Sequence, residues 1–207
     1  MARPRNQAQR RSELVAVTSR LLIERGAAAA RLTDIADAAK LTPASVSYYY
    51  PELPTLYAET YETAALEYIA RRRERVALAE DAPARLAECL RLGIPIAGEP
   101  SFDATVLLIE LGAQCVRDQG FEAPATEFER AQLELFEEIV RDGLDAGDFR
   151  TELPPARVAR LLLAAEDGLA GPVITGRLTS GEALETILSL GAALLGAALP
   201  VPAGVAR

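Results

Sequence analysis

No histidine and no tryptophan occur in the chain, methionine is present once, and Lys40 is the only lysine, every other basic side chain being arginine. The missing imidazole removes histidine general bases, Ser-His-Asp and Cys-His arrangements and most zinc sites. Glycine-rich phosphate loops are missing too, so an enzyme is not expected, and neither is a cofactor or a metal. The only cysteines are Cys89 and Cys115. Both fall in long helical stretches without metal-ligand spacing, and buried reduced thiols are the expected state. Aromatic residues make up 5% and β-branched residues are sparse, which counts against sheet, whereas abundant Ala and Leu favour helix. Spanning a bilayer takes a run of about 20 apolar residues, and the most apolar run, Ile187 to Leu199, is too short. The polar, arginine-rich start lacks the apolar h-region of a signal peptide. A cytoplasmic protein without a membrane partner is expected.

Half of the 207 residues are hydrophobic, enough to bury a sizeable core in one large domain or in a small head on a larger body. The net charge of −8 argues at first against nucleic acid, but it is unevenly spread: residues 1–50 carry +4 and the remainder −12. A basic head on an acidic body suits phosphate contact at one end only. The bland alternative is a chance cluster of solvated arginines.

Periodicity and punctuation predict helices throughout. Residues 1–9 are expected to be a flexible basic arm. Leu14, Val15, Thr18, Leu21 and Leu22 form one face of a helix from Arg10 to Arg25, closed by Gly26. Thr33 is expected to cap a short helix from Asp34 to Ala39 that buries Ile35, Ala38 and Ala39, with Asp34 favoured in its first turn. Thr42 is placed to cap, and Pro43 to begin, a third helix reaching Tyr50. Two short helices joined by so brief a turn are a helix-turn-helix. Further helices are predicted over Pro54–Glu80, Pro83–Ile94, Ser101–Asp118, Pro124–Leu144, Pro155–Gly176 and Ser180–Leu199. In the first of these Tyr57, Tyr61, Ala64, Ala65, Tyr68 and Ile69 face inward. The helix after Pro124 carries two apolar stripes, Leu133, Phe136, Val140 and Leu144 on one and Phe128, Leu135 and Ile139 on the other. No segment alternates like a half-buried strand.

In a helix-turn-helix the second helix turns small or polar side chains to the major groove and apolar ones to the core. Pro43, Ala44, Ser45, Ser47 and Tyr48 are candidates for the groove side, and Val46 and Tyr50 for the core. Tyr49 is balanced between the two. Thr33 and Thr42 cap helix N-termini, where phosphate is also favoured.

The series Leu32-Thr33-Asp34-Ile35-Ala36, Ala38-Ala39, Leu41-Thr42, Val46 and Tyr48-Tyr49-Tyr50-Pro51 resembles the DNA-binding head of TetR-family repressors over about residues 10 to 60. More loosely, Asp142-Gly143 with Gly147-Asp148-Phe149-Arg150, and Glu166-Asp167-Gly168-Leu169, resemble that family's effector domain. The resemblance implies a dimer on a pseudo-palindromic double-stranded DNA operator, with DNA contacts from Thr33, Lys40, Thr42, Pro43, Ala44, Ser45, Ser47, Tyr48 and Tyr49. Three positions depart from the family pattern. Lys40 stands where a turn glycine is usual, which predicts a non-glycine residue near positive φ or an altered turn. Ser47 replaces a phosphate-contacting tyrosine, and Leu53, followed by Pro54, replaces a phosphate-binding lysine. Tyr48, Tyr49, Lys40 and the basic arm are the candidates to compensate.

The resemblance makes the last two helices a dimerising bundle. Leu184, Ile187, Leu188, Leu194, Leu195 and Leu199 supply apolar surface there, while Gly191 and Gly196 allow close approach. An intramolecular core helix is the alternative. Tyr61, Tyr68, Phe102, Glu110, Gln114, Phe128 and Asp167 are candidates to contact a small-molecule effector; for the aromatics, plain core packing is the alternative. Glu110, Glu166 and Asp167 interrupt apolar stretches, where acids are costly unless paired or wet, and Arg117, Arg160 and Arg177 are possible partners. The reading is therefore all-α: a flexible basic arm over 1–9, a three-helix helix-turn-helix head over 10–53, and a larger helical effector-binding and dimerisation domain over 54–207. The expected function is a ligand-responsive DNA-binding regulator, a repressor released from its operator by an effector of unknown identity. The alternative is a helical ligand-binding or interaction module with weakened DNA binding.

Overall fold

The computed structural model describes residues 4–26, 30–113 and 122–202. Among the described residues the regular structure is helical, with no strand. The helices are α1 (Pro4–Arg25), α2 (Leu32–Ala38), α3 (Pro43–Tyr49), α4 (Leu53–Val76), α5 (Ala82–Gly93), α6 (Pro100–Gly112), α7 (Glu122–Ala146), α8 (Pro155–Ile174) and α9 (Ser180–Leu195). No helix of the described residues is long and apolar enough to cross a membrane. The chain divides into two compact units, Met1–Glu67 with Val106–Phe128 and Tyr68–Thr105 with Glu129–Arg207.

In the first unit, α1, α2 and α3 pack together. The inner face of α1 is the expected one, with Leu14, Val15, Thr18, Leu21 and Leu22 buried. Its start is not: α1 extends back to Pro4, so residues 4–9 are helical rather than an irregular arm. Proline suits a first helical turn, whose N–H groups lack intrahelical acceptors in any case. The Gln9 amide and the Arg10 guanidinium both donate to Glu13 within this stretch. At the far end Gly26 takes φ 73°, and its N–H donates to Leu22 O at 2.8 Å. The expected Thr33 cap is corrected. Thr33 lies inside α2 and is exposed, while Asp34 reaches back to accept the Arg31 N–H at 3.0 Å. An acid three residues into a helix makes this return contact. Starting α2 at Leu32 also sets its inner stripe at Ile35 and Ala36, and leaves Ala38 exposed rather than buried.

The turn that follows is a Schellman motif. Leu41 N–H donates to Ala36 O at 2.8 Å and Lys40 N–H to Asp37 O at 3.1 Å. Lys40 sits at the left-handed position, φ 56°, where the family pattern has glycine. Helix α3 begins as expected, with Thr42 Oγ1 accepting the Ser45 N–H at 3.1 Å and Pro43 in the first turn. Val46 and Tyr50 are its buried anchors. The first half of α4 belongs to the same compact unit as α1, α2 and α3. Leu56, Tyr57, Thr60 and Tyr61 are buried, and the Tyr57 hydroxyl donates to Ala30 O at 2.9 Å.

The second unit is built on α5, α8 and α9, which pack on one another. Its core includes Leu86, Leu90, Phe136, Ile139, Leu162 and Ile187. Gly191 and Gly196 each have a role within the chain. Gly191 is buried, and a Cβ there would meet Leu199 Cδ1 at 2.9 Å and Leu90 Cδ1 at 3.4 Å, so its smallness serves packing within the chain. Gly196, at φ 59°, ends α9 after Leu195 rather than at Leu199. A tighter approach occurs at Gly143, where a Cβ would lie 2.2 Å from Phe149 Cδ2 and 2.9 Å from Ala82 Cβ. Gly143→Ala must push the buried Phe149 ring aside, and overpacking of this kind costs about 1–3 kcal/mol. The expected result is a lower midpoint of urea unfolding with native helix content retained by circular dichroism.

Candidate nucleic-acid interface and buried ion pair

The surface of the head follows from how α3 is anchored. With Val46 and Tyr50 turned inward, the residues between and before them turn out. Thr42, Pro43 and Ala44 are exposed, Ser45 and Ser47 half-buried, and Tyr48 is 66% exposed. Thr33 and Lys40 are also exposed. Tyr49 is half-buried and meets the Tyr48 ring edge-on, centroids 5.2 Å apart. The oxygens of Thr42 and Ser45 lie 2.9 Å apart, so the two hydroxyls closest to the start of α3 share one hydrogen bond. Leu53, the first residue of α4, is half-buried.

Sequence reasoning counted Arg11 only as a positive charge. In the structure it is a junction. Its Nη1 donates to Tyr49 O at 3.1 Å, its Nη2 pairs with the Glu59 carboxylate, and the guanidinium lies 4.3 Å from the centroid of the Tyr50 ring. Burial, with the Glu59 charge beside it, holds the Tyr50 phenol far above its ordinary range, so it stays neutral. The signal was available: Arg11 lies three and four residues before Leu14 and Val15, on the side of α1 that faces the head.

In the second unit a second arginine was missed. Arg72 is 2% exposed, on the stripe of α4 that continues from Ala65 through Tyr68. Its Nη1 and Nη2 donate to Glu166 Oε1 and Oε2 at 3.0 and 2.5 Å. Nη1 also donates to Gln132 Oε1 at 3.2 Å, and Nη2 to Cys89 O at 2.7 Å. The Phe136 ring centroid lies 4.9 Å away and the Tyr68 centroid 5.7 Å. The Glu166 partner is thus Arg72, not Arg160 or Arg177, and Arg117 lies outside the described residues. Arg160 pairs with Glu129 and Arg177 donates to Thr175 Oγ1. Room for the Glu166 carboxylate comes from Gly93, whose Cβ would sit 1.9 Å from Glu166 Cδ. Burial pushes the Cys89 thiol up to about 11, so it is no thiolate at neutral pH. Among the described residues no group of three Cys, Asp or Glu side chains is arranged to hold a metal.

The effector candidates are dispersed. Tyr61 is buried and Phe128 half-buried, and their rings meet edge-on at 6.1 Å in the first unit. Glu110 belongs to that unit too. It is exposed, and its carboxylate lies 3.6 Å from where a Gly26 Cβ would be. Tyr68, Phe102 and Asp167 belong to the second unit. Tyr68 joins the Arg72 cluster, its hydroxyl 3.4 Å from Leu92 O. Phe102 is half-buried and Asp167 exposed. Gln114 lies outside the described residues.

No family model and no curated protein matches the sequence. The fold does have relatives among solved structures. A transcriptional regulator from Saccharomonospora viridis in complex with choline superposes with a TM-score of 0.83 at 19% identity, over 91% of this chain and 98% of that one. A TetR transcription regulator from Haloarcula marismortui gives 0.78 at 24% identity, over 91% and 99%. E. coli NemR in its reduced form gives 0.74 at 18%, over 94% and 100%. The fold is that of TetR-family transcriptional regulators, an N-terminal helix-turn-helix followed by a helical domain.

Because Arg72 is buried, its pairing is not optional. Glu166→Ala leaves an uncompensated guanidinium and is expected to cost about 3–5 kcal/mol, whereas Arg72→Met combined with Glu166→Leu removes both charges and should recover most of that loss. Urea unfolding of the two variants beside the unaltered protein checks this. A double variant no more stable than Glu166→Ala would show that the charge is not the cause.

Proposed function

We propose that this chain is a ligand-responsive DNA-binding regulator of the TetR type, acting in the cytoplasm as a homodimer and repressing until a small-molecule effector releases it. The observation that carries the reading is α3. It is capped by Thr42, anchored by Val46 and Tyr50, and turns Pro43, Ala44, Ser47 and Tyr48 outward, within a stretch, residues 1–50, of net charge +4. Small and hydroxylated side chains let such a helix lie close against base edges, with Tyr48 placed for a base or a sugar. Thr33, Lys40 and Thr42 are assigned to phosphates and Tyr49 to the margin of the contact. No catalytic role is assigned to any residue.

Dimerisation is assigned to the outward face of α8. Arg157, Leu161, Ala164, Gly168 and Thr175 are exposed, at helical spacing. An added Cβ at Gly168 or Gly171 meets nothing within 4 Å. These open glycines, rather than Gly191 and Gly196, support close approach of a second copy. For the effector, the Tyr61–Phe128 pair supports an apolar or cationic small molecule. The choline bound to the S. viridis regulator makes a quaternary ammonium the first probe to try. A ligand that favours one arrangement of α4 over another would shift DNA affinity by that preference.

The test is selection of random duplex DNA by the purified protein at stated salt, since affinity depends on it. An enriched two-fold-symmetric sequence is expected. No enrichment would favour the alternative reading, a ligand-binding module with weakened DNA binding, to which Ser47 and Leu53 point. Two variants sharpen the outcome. Leu53→Lys adds a phosphate contact, so it should tighten binding across all sequences and steepen the salt slope by about 0.9. Gly168→Arg should yield a monomer by light scattering and lose the tight binding that depends on engaging both half-sites together.

A further inference from the structure

We propose that Arg11 and Glu59 are positioning residues, a brace that fixes the C-terminal end of the recognition helix and links it to α4 without either residue touching DNA. This rests on the DNA-binding reading above and adds how the reading helix is held. Helix α3 has seven residues, so it keeps few hydrogen bonds of its own, and its last carbonyls have no partner within the helix. The Tyr49 carbonyl at that end accepts from Arg11. The same guanidinium pairs with Glu59 of α4 and covers the face of Tyr50. One turn earlier on the same side of α1, Gln7 Nε2 donates to Tyr48 Oη at 3.3 Å. Successive turns of α1 therefore hold three consecutive tyrosines, one of which points outward while another is buried.

Arg11 turns one N–H of each terminal nitrogen inward, Nη1 to the Tyr49 carbonyl and Nη2 to Glu59, and lays its guanidinium over the Tyr50 ring, so the Glu59 carboxylate offsets its charge. Glu59 raises the complementary question. A carboxylate on a DNA-binding head repels phosphate, and as a bare charge it would only weaken binding. As the partner that orients Arg11 it has a use. Lysine is no substitute for Arg11, because one ammonium does not reproduce a planar fork that donates in two directions while stacking on a ring. Two turns of α4 and α1 thus carry the orientation of α3, and a shift of α4 reaches Tyr49 through two contacts.

The test uses the full-length protein and the duplex found by selection, with affinity measured by anisotropy over a range of salt. Arg11→Gln, Arg11→Lys and Glu59→Gln are each expected to weaken binding about tenfold, the scale of one lost charge-assisted hydrogen bond, with the salt slope unchanged. The double variant Arg11→Gln with Glu59→Gln should be no weaker than either single one, since both remove the same brace. A phosphate contact gives the opposite pattern. Arg11→Lys would then bind like the unaltered protein, Arg11→Gln would lower the slope by about 0.9, and Glu59→Gln would tighten binding. Any of these three overturns the proposal. Hydrogen exchange tests the brace without DNA, and so separately from the regulator reading. The Tyr49 and Tyr50 amides should exchange about tenfold faster in Arg11→Gln and in Glu59→Gln, with the second unit unaffected. Unchanged protection at these amides also overturns it. Should Arg11→Gln lose the head fold altogether, Glu59→Gln and Arg11→Lys, which keep side-chain length, decide the matter.

Discussion

A guanidinium taken out of water sets the terms for the second unit. Arg72 is fully enclosed, and the cost of desolvating it falls only where a carboxylate meets both of its terminal nitrogens. That carboxylate comes from α8, ninety-four residues along the chain. The pair then imposes conditions on its neighbours. Position 93 can have no Cβ, because the Glu166 carboxylate occupies that space. Gln132 of α7 and the Cys89 carbonyl of α5 must face the same point to accept further N–H groups of the two terminal nitrogens, while the buried Nε has no hydrogen-bond partner. Leucines packed against leucines tolerate a slide of one helix along another far better than a bidentate pair does. The cluster therefore specifies which face of α4 meets α5, α7 and α8, whatever its net contribution to stability.

The head is held by the same kind of contact in wetter surroundings. Its helices α2 and α3 have seven residues each, and beside the buried anchors Val46 and Tyr50 of α3 stand polar, partly exposed contacts. The Arg11 and Glu59 side chains are 39% and 32% accessible, against 2% and 4% for Arg72 and Glu166. Ion pairs in water contribute little to overall stability, but a short helix needs direction more than stability. Helix α4 contributes to both units, with Tyr57 and Glu59 engaged in one and Tyr68 and Arg72 in the other. Its ion pair is part-exposed in the first unit and buried in the second.

What was legible in the sequence was local. The inner face of α1, the Gly26 stop, the Thr42 cap with Pro43 behind it, the outward and inward sides of α3 and the left-handed Lys40 all depend on residues within one or two turns. The failures were also instructive. Thr33 and Asp34 both suit a helix start, and only the true first turn at Leu32 decides that Asp34 makes the contact. The same shift exposes Ala38. Gly191 has the smallness a dimer interface would want, yet small residues serve close packing inside a chain equally well. Arg72 and Glu166 were each visible as charges in apolar stretches. Their mutual choice was not, because nothing in local sequence says that residues on α4 and α8 meet. Of the seven effector candidates, Tyr61 and Phe128 meet ring to ring in the first unit and Tyr68 joins Arg72 in the second, pairings that local sequence does not state.

The three departures from the family pattern bear on one another. A left-handed conformation at a residue with a Cβ costs on the order of 1–2 kcal/mol, and glycine at position 40 would avoid it. The turn does not otherwise demand lysine: both Schellman hydrogen bonds are made by backbone groups. What lysine adds is a cation, exposed at the C-terminal end of α2, where the helix dipole is negative, and three residues before the exposed Pro43. Strain retained at a solvent-exposed turn of this kind points to a role for the side chain rather than the backbone. A head that carries serine at 47 and leucine at 53 has given up two phosphate contacts on the proposed reading. Lys40, the sole lysine of an arginine-rich chain, then stands as the replacement, moved from the start of α4 to the turn before α3. On that reading the cation would sit in the turn before α3 rather than at the start of α4.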